Sequence, residues 1–189
     1  MSTTQEDILN WIRSLVWSGE CGEVEVALRI APNIAGGEPY EGWLRAAIRA
    51  EAESKRKAEA TWPKVTDFDR LDRAFTILKA QGIIALHRAG FTLSDGMENV
   101  EDAYSEAGDK NSEYKGFCFY TEQDQEIAMD GGGMCIAFGS ISGIEATGIK
   151  VGQMLREALE REGFKIEWDG TIKKRLFIEG SRWQRRSPW

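Results

Sequence analysis

Residues Lys115–Gly139 read Lys-Gly-Phe-Cys-Phe-Tyr-Thr-Glu-Gln-Asp-Gln-Glu-Ile-Ala-Met-Asp-Gly-Gly-Gly-Met-Cys-Ile-Ala-Phe-Gly. Side chains alternate along a strand, so Phe117 and Phe119 share one face and Cys118 and Tyr120 the other. Met134, Ile136 and Phe138 repeat the pattern, opposite Cys135 and Ala137. Both faces are largely apolar, as in a strand covered on both sides. Each buried Phe or Ile contributes roughly 1.5–3 kcal/mol, so this pair of strands anchors a core. Between them, Thr121 and Asp124 have capping-box spacing. Glu122, Asp124 and Glu126 lie where a helix dipole favours negative charge. Gly131–Gly133 then stop the helix, because glycine enters the left-handed region freely. A connection of about a dozen residues is just long enough for a parallel crossover, and an antiparallel return also fits.

The rest of the chain supplies helices and shorter strands. Ile8, Trp11, Ile12, Leu15 and Val16 make one helical face. Val24–Pro32 fits strand or helix, and Asn33–Pro39 reads as a loop. A long helix is predicted over 40–61. Its second half, rich in Ala, Glu and Lys, is expected to project into solvent, held by Glu51–Lys55 and Glu53–Lys57 pairs. Trp62-Pro63 ends it. From Thr66 the order is helix, strand (82–88), acidic helix (94–107), then the strand, helix, strand unit above. A helix starting near Ile149 follows, with Phe164, Ile166 and Trp168 alternating in a strand and Leu176–Glu179 returning as its hairpin partner.

This order predicts an α+β fold of α/β-like character: a mixed five-stranded sheet covered by helices, with an N-terminal helical extension. The domain organisation expected is a helical region over 1–63 packed on the core of an α/β domain over 64–189 with a C-terminal hairpin. No run of about 18 apolar residues occurs, so no membrane helix is expected. The N-terminus lacks a basic and then apolar leader, and three cysteines are few; both fit a cytoplasmic protein. The formal charge of −7 argues against a nucleic-acid binder. It is unevenly spread. Residues 95–130 hold eleven acidic and two basic residues, a net of −9, whereas residues 173–189 carry a net of +5. The acidic stretch reads as solvated surface or as a docking surface for a basic protein partner.

Several short motifs recur in one order from Thr66 onward: Asp69-Arg70-Leu71-Asp72, Ala74-Phe75, Gly82-Ile83 and Ala85; then Gly116-Phe117, Phe119-Tyr120, Gln123-Asp124, Gly131-Gly132-Gly133 and Ala137-Phe138-Gly139; finally Gly163, Glu167-Trp168-Asp169-Gly170, Trp183 and Arg185-Arg186. In these the chain resembles an uncharacterised bacterial family, a domain of unknown function. The resemblance implies no activity. Two departures matter. The resemblance implies cysteines just after the strand ending near His87, where this chain reads Ala89–Gly96 without a thiol. It also implies His before Gln-Asp, where this chain has Thr121-Glu122. No metal or thiol role passes to this chain by resemblance.

The chemistry in the residues is sparse. The triple glycine follows a helix and precedes a strand, the reverse of a phosphate loop. One histidine and no Cys-x-x-Cys exclude a multi-histidine or paired-cysteine zinc site. No metal or cofactor is expected. His87, near a strand end, with Cys118 and Asp124 would form a thiol, imidazole and carboxylate centre; the competing reading is a buried thiol, a hydrogen-bonded histidine and a helix cap. Binding candidates are Gln123 and Asp130 around the short helix, and Trp168, Asp169, Trp183 and Arg185 toward the C-terminus. Gln123 is singled out because neither capping nor strand pattern requires it. The leading reading is a non-enzymatic binding protein, monomer or homodimer, using an acidic surface as an inhibitor, adaptor or immunity-type protein does. Its alternatives are a small enzyme centred on His87, Cys118 and Asp124, and a small-ligand sensor with an apolar pocket near Trp168.

Overall fold

Thr4 starts the first helix by accepting from the Asp7 amide while Asp7 reaches back to the Thr4 backbone. The computed structural model describes residues 4–33 and 37–188. The chain divides into two compact units, Met1–Thr66 with Gln184–Trp189, and Asp67–Trp183. The division falls after Thr66 rather than Pro63, and the last residues belong with the first unit.

The first unit holds α1 (Gln5–Ser18), α2 (Glu23–Ile30) and α3 (Gly37–Glu59). The ambiguous Val24–Pro32 stretch is thus mostly helix, with Val26 and Ile30 buried. Residues 34–36 of the expected loop lie outside the described residues, and α3 begins at Gly37 rather than Tyr40. Ile8, Ile12, Leu15 and Val16 of α1 meet Val26 and Ile30 of α2 and Leu44, Ile48 and Ala52 of α3 in one core. The second half of α3 does not project into solvent. Lys55 is 0% exposed, and its Nζ donates to the Val16 carbonyl at 3.0 Å. That carbonyl lies at the C-terminal end of α1, where a cation satisfies acceptors the helix leaves open. Glu51 therefore does not hold Lys55; it accepts from the Trp17 indole instead. Glu53–Lys57 forms at 3.0 Å, as expected. Glu59 lies 3.6 Å from Lys55 and also accepts from the amide and hydroxyl of Ser187. Arg185 pairs with Glu20 at 2.6 Å, and Arg186 donates to the Pro63 carbonyl.

The second unit runs α4 (Asp67–Ala80), β1 (Ile83–Leu86), α5 (Leu93–Glu106), β2 (Gly116–Phe119), α6 (Glu122–Met129), β3 (Met134–Ser140), α7 (Glu145–Arg161), β4 (Lys165–Glu167) and β5 (Leu176–Glu179). The five strands form one mixed sheet in the order β1-β2-β3-β5-β4, an α+β fold. β1 and β2 are parallel, joined across α5. The connection through α6 returns antiparallel, with Cys118 opposite Phe138. β4 and β5 form the expected hairpin partners. One sheet face, with Ile83, Ala85, Cys118, Ile136, Phe138 and Leu176, packs on Leu71, Phe75 and Leu78 of α4 and Val151, Leu155 and Leu159 of α7. The other face, with Ile84, Phe117, Phe119 and Ala137, packs on α5 through Val100, Ala103 and Tyr104. Gly96 makes that contact close: a Cβ there would meet the Phe119 ring at 2.2 Å. Among the described residues, no helix is long and apolar enough to cross a membrane.

Burial lowers the Lys55 ammonium from its ordinary 10.5 to about 8, against the raising pull of Glu59. The unfolded chain keeps that proton to higher pH, so the unfolded state binds more protons between the two values and stability rises with pH across that window. Below about 8 the buried charge is carried in full. Lys55→Met keeps most of the packing without the titrating charge and is expected to flatten this pH dependence. Melting temperatures of both proteins, followed from about pH 7 to about pH 10, should show the wild-type gain and its loss in the variant.

Candidate functional site

Three places in the second unit bear on function, two of them holding residues expected from the sequence. The first is the end of β2 and the start of α6. Thr121 caps α6: its hydroxyl accepts from the Asp124 amide at 3.3 Å, and Asp124 accepts in return from the Thr121 amide at 3.0 Å and hydroxyl at 2.8 Å. The expected capping box is therefore present. Asp124 has a further role that its sequence position does not reveal. Both its carboxylate oxygens accept from Nη1 of Arg175 at 2.9 Å, and the carboxylate is buried. A buried carboxylate needs such pairing. With these bonds Asp124 is engaged on both oxygens. Gln123 is exposed, while Gln125, two residues on, is 2% exposed with its side-chain oxygen unpartnered among the described residues. Gln123, singled out because neither capping nor strand pattern requires it, lies on the exposed face of α6 and Gln125 on its buried face; a helix turns about 200° in two residues, and only the packing of α6 shows which is inside. Asp130 is exposed at the C-terminal cap of α6.

The second place is the end of β1. His87 follows β1 and Tyr120 follows β2, and their rings lie 5.6 Å apart. The His87 ring stacks on Phe75 at 4.7 Å and lies 5.4 Å from Phe68, both on α4. Its Nε2 is 3.1 Å from Asp72 and its Nδ1 3.2 Å from the Tyr120 hydroxyl. An ionised Asp72 only accepts, so Nε2 carries a proton toward it, and in the neutral ring Nδ1 accepts from Tyr120. Asp72 and Tyr120 thus take the places that Asp124 and Cys118 were expected to fill. Cys118 is 0% exposed, and burial pushes its thiol far above the ordinary range, outweighing the opposing pull of Lys79. A thiol in that state is a small apolar side chain rather than a nucleophile. The next residue, Arg88, has φ of 48°, left-handed backbone for a non-glycine, and its guanidinium pairs with Glu122 at 3.0 Å. Asp72 is one helical turn from Phe68 and Phe75, a spacing visible in the sequence, but its meeting with His87 depends on the packing of α4 on the sheet.

The C-terminal candidates separate. The Trp168 indole packs edge-on against Phe138 and donates to the Thr171 carbonyl. Asp169 closes the turn by accepting from the Thr171 amide and hydroxyl, which hold its carboxyl below the usual range. Trp183 meets Phe68 and Tyr120 edge-on and lines a cavity of about 10 Å³, room for one water, beside the buried Ser181 hydroxyl. Arg185 belongs to the first unit with Glu20, as described above.

The third place was not named from the sequence. Beyond the cover of α5, the sheet face opens into a groove of about 190 Å³. Phe117, Phe119 and Ala137 form its floor, Leu93 and Met97 of α5 one wall, and Ile172–Arg175 the other. Leu93 and Met97 are 46% and 38% exposed, and Phe91 beside them is 49% exposed. The signal that could have found it is the run Lys173-Lys174-Arg175 just before an apolar strand.

Breaking the Asp124–Arg175 pair separates structure from surface. Asp124→Ala should destabilise by about 1–3 kcal/mol, since α6 loses its capping box and Thr121 and Arg175 lose their acceptor. Gln123→Ala should stay within about 0.5 kcal/mol. Urea unfolding of both variants checks the contrast.

No curated protein and no solved structure matches the chain. Residues 1–187 match a family described as Domain of unknown function (DUF6891), a match that takes in the helical first unit as well as the sheet. The chain belongs to the DUF6891 family.

Proposed function

We propose that the chain is a non-enzymatic binding protein whose acidic surface engages a basic protein partner, as inhibitors, adaptors and immunity-type proteins do. The observation behind this reading is the outer face of α5. Glu98, Glu101, Asp102 and Glu106 are all exposed there, and none makes an ion pair among the described residues. Other acids of the same stretch differ: Asp95 and Asp124 hold capping boxes, and Glu122 pairs with Arg88. Unpaired like charges along one helix face destabilise it mildly. A basic partner relieves that repulsion and is steered onto the face, with an on-rate that falls as salt rises. Cross-linking mass spectrometry on the protein in its native lysate should place partner contacts on α5. Reversing all four charges to Lys should remove them; contacts elsewhere, or contacts that survive reversal, defeat the reading.

A second reading, acid–base catalysis, rests on the Asp72–His87–Tyr120 chain beside the left-handed Arg88, since strained backbone gathers at active sites. It predicts turnover of some aryl ester or phosphoester that His87→Gln abolishes. Absence of turnover across such a panel, or turnover that survives the substitution, removes it.

A further inference from the structure

The groove on the open sheet face has an apolar wall on α5, with the acids of α5 farther along that helix, and a wall that carries lysines at Ile172–Arg175. Leu93, Met97 and Glu101 follow at four-residue steps along α5, so the apolar wall continues directly into a carboxylate. Ser94, Glu98 and Asp102 form the next row outward by the same spacing. The opposite wall ends in Lys173 and Lys174, both exposed, with Lys174 3.8 Å from Asp169. Arg175 is held by Asp124 and contributes its aliphatic stem rather than a free charge. The α5 wall offers exposed apolar surface: Leu93 and Met97 are each more than a third exposed, as is Phe91 just before the helix, above a floor of Phe117, Phe119 and Ala137.

A surface with an acidic edge, an apolar trough and a basic edge is complementary to itself across a two-fold axis. Rotation about an axis through the trough lays each acidic wall on the other copy's basic wall and joins the two apolar patches. A small anion would meet the lysines but leave the acidic row of α5 and the exposed apolar side chains without a partner. A uniformly basic partner would meet the carboxylates but also the lysines. The second copy satisfies both edges at once. We infer that this face is an isologous interface and that the basic partner of α5 is the Ile172–Arg175 wall of a second copy of this chain. The inference rests on reading α5 as an interaction surface and names what that surface meets.

The test is sedimentation of the full chain over a range of concentrations, at about 0.1 M and about 1 M salt, because screening shortens sharply between the two. A reversible dimer that weakens in high salt is expected. Lys173→Glu with Lys174→Glu, and separately Glu98→Lys with Glu101→Lys and Asp102→Lys, should each weaken self-association at least about tenfold, as like charges come to face each other. Mixing the two variants restores both opposed walls, so a mixed dimer should form at concentrations where each variant alone is largely monomeric. That rescue also shows that both variants are folded. A monomer at every concentration overturns the inference, as does a dimer unaffected by either variant or a mixture that fails to pair. If the wild type is monomeric while α5 charge reversal still abolishes contact with a different basic protein, the inference falls and the proposed function stands. If α5 reversal changes neither, both fall.

Discussion

The Asp124 carboxylate joins segments 51 residues apart, the start of α6 and the turn leading into β5. A carboxylate removed from water must find donors, and this one finds them on both sides. The Thr121 contacts are local and form whenever α6 forms. The Arg175 contact exists only once β5 has paired with β3, with Cys135 opposite Phe177. The pair is buried at its carboxylate and part-exposed at its guanidinium, and an arrangement without Arg175 would leave the buried charge short of its cation. It ties the capping of a short helix to the register of the sheet. Cys135 lies under the same influence: burial raises its thiol, with the Arg175 cation lowering it and Asp124 raising it further.

Much of this architecture was legible in the residues. The alternation of Phe117 to Tyr120 and of Met134 to Phe138 fixed two strands with both faces covered, and both pairs are buried on the two sides of the sheet. The capping box at Thr121 was read from spacing alone, because its partners are three residues apart. What was not legible depended on distant partners. The antiparallel return between β2 and β3 uses a connection whose length allowed either direction. Lys55 sits in a run of Ala, Glu and Lys that reads as solvated, and it is buried only because the end of α1 offers a carbonyl to it. Asp72 reaches His87 across an α4 packing that no local pattern encodes. Arg175 looked like one more basic residue of the tail.

The two faces of the sheet are dressed unequally. Two long helices cover one face, and a single helix covers part of the other. The aromatic ends of β2 therefore lie under α5 at one edge and open to the groove at the other. Function, in the reading proposed here, follows from this asymmetry: the surplus charge of the chain is collected on the helix that flanks the open part, and cations stand across from it.

Gly96 carries a consequence for the order in which the molecule is built. A glycine inside a helix costs about 1 kcal/mol relative to alanine, and a helix of this length is marginal on its own in water. Helix α5 also has a narrow apolar stripe and an outer row of like charges. It gains its stability when Phe119 slides under the missing side chain, so it consolidates on a sheet already formed. By the same reasoning its amides should exchange with solvent ahead of those of β2 and β3.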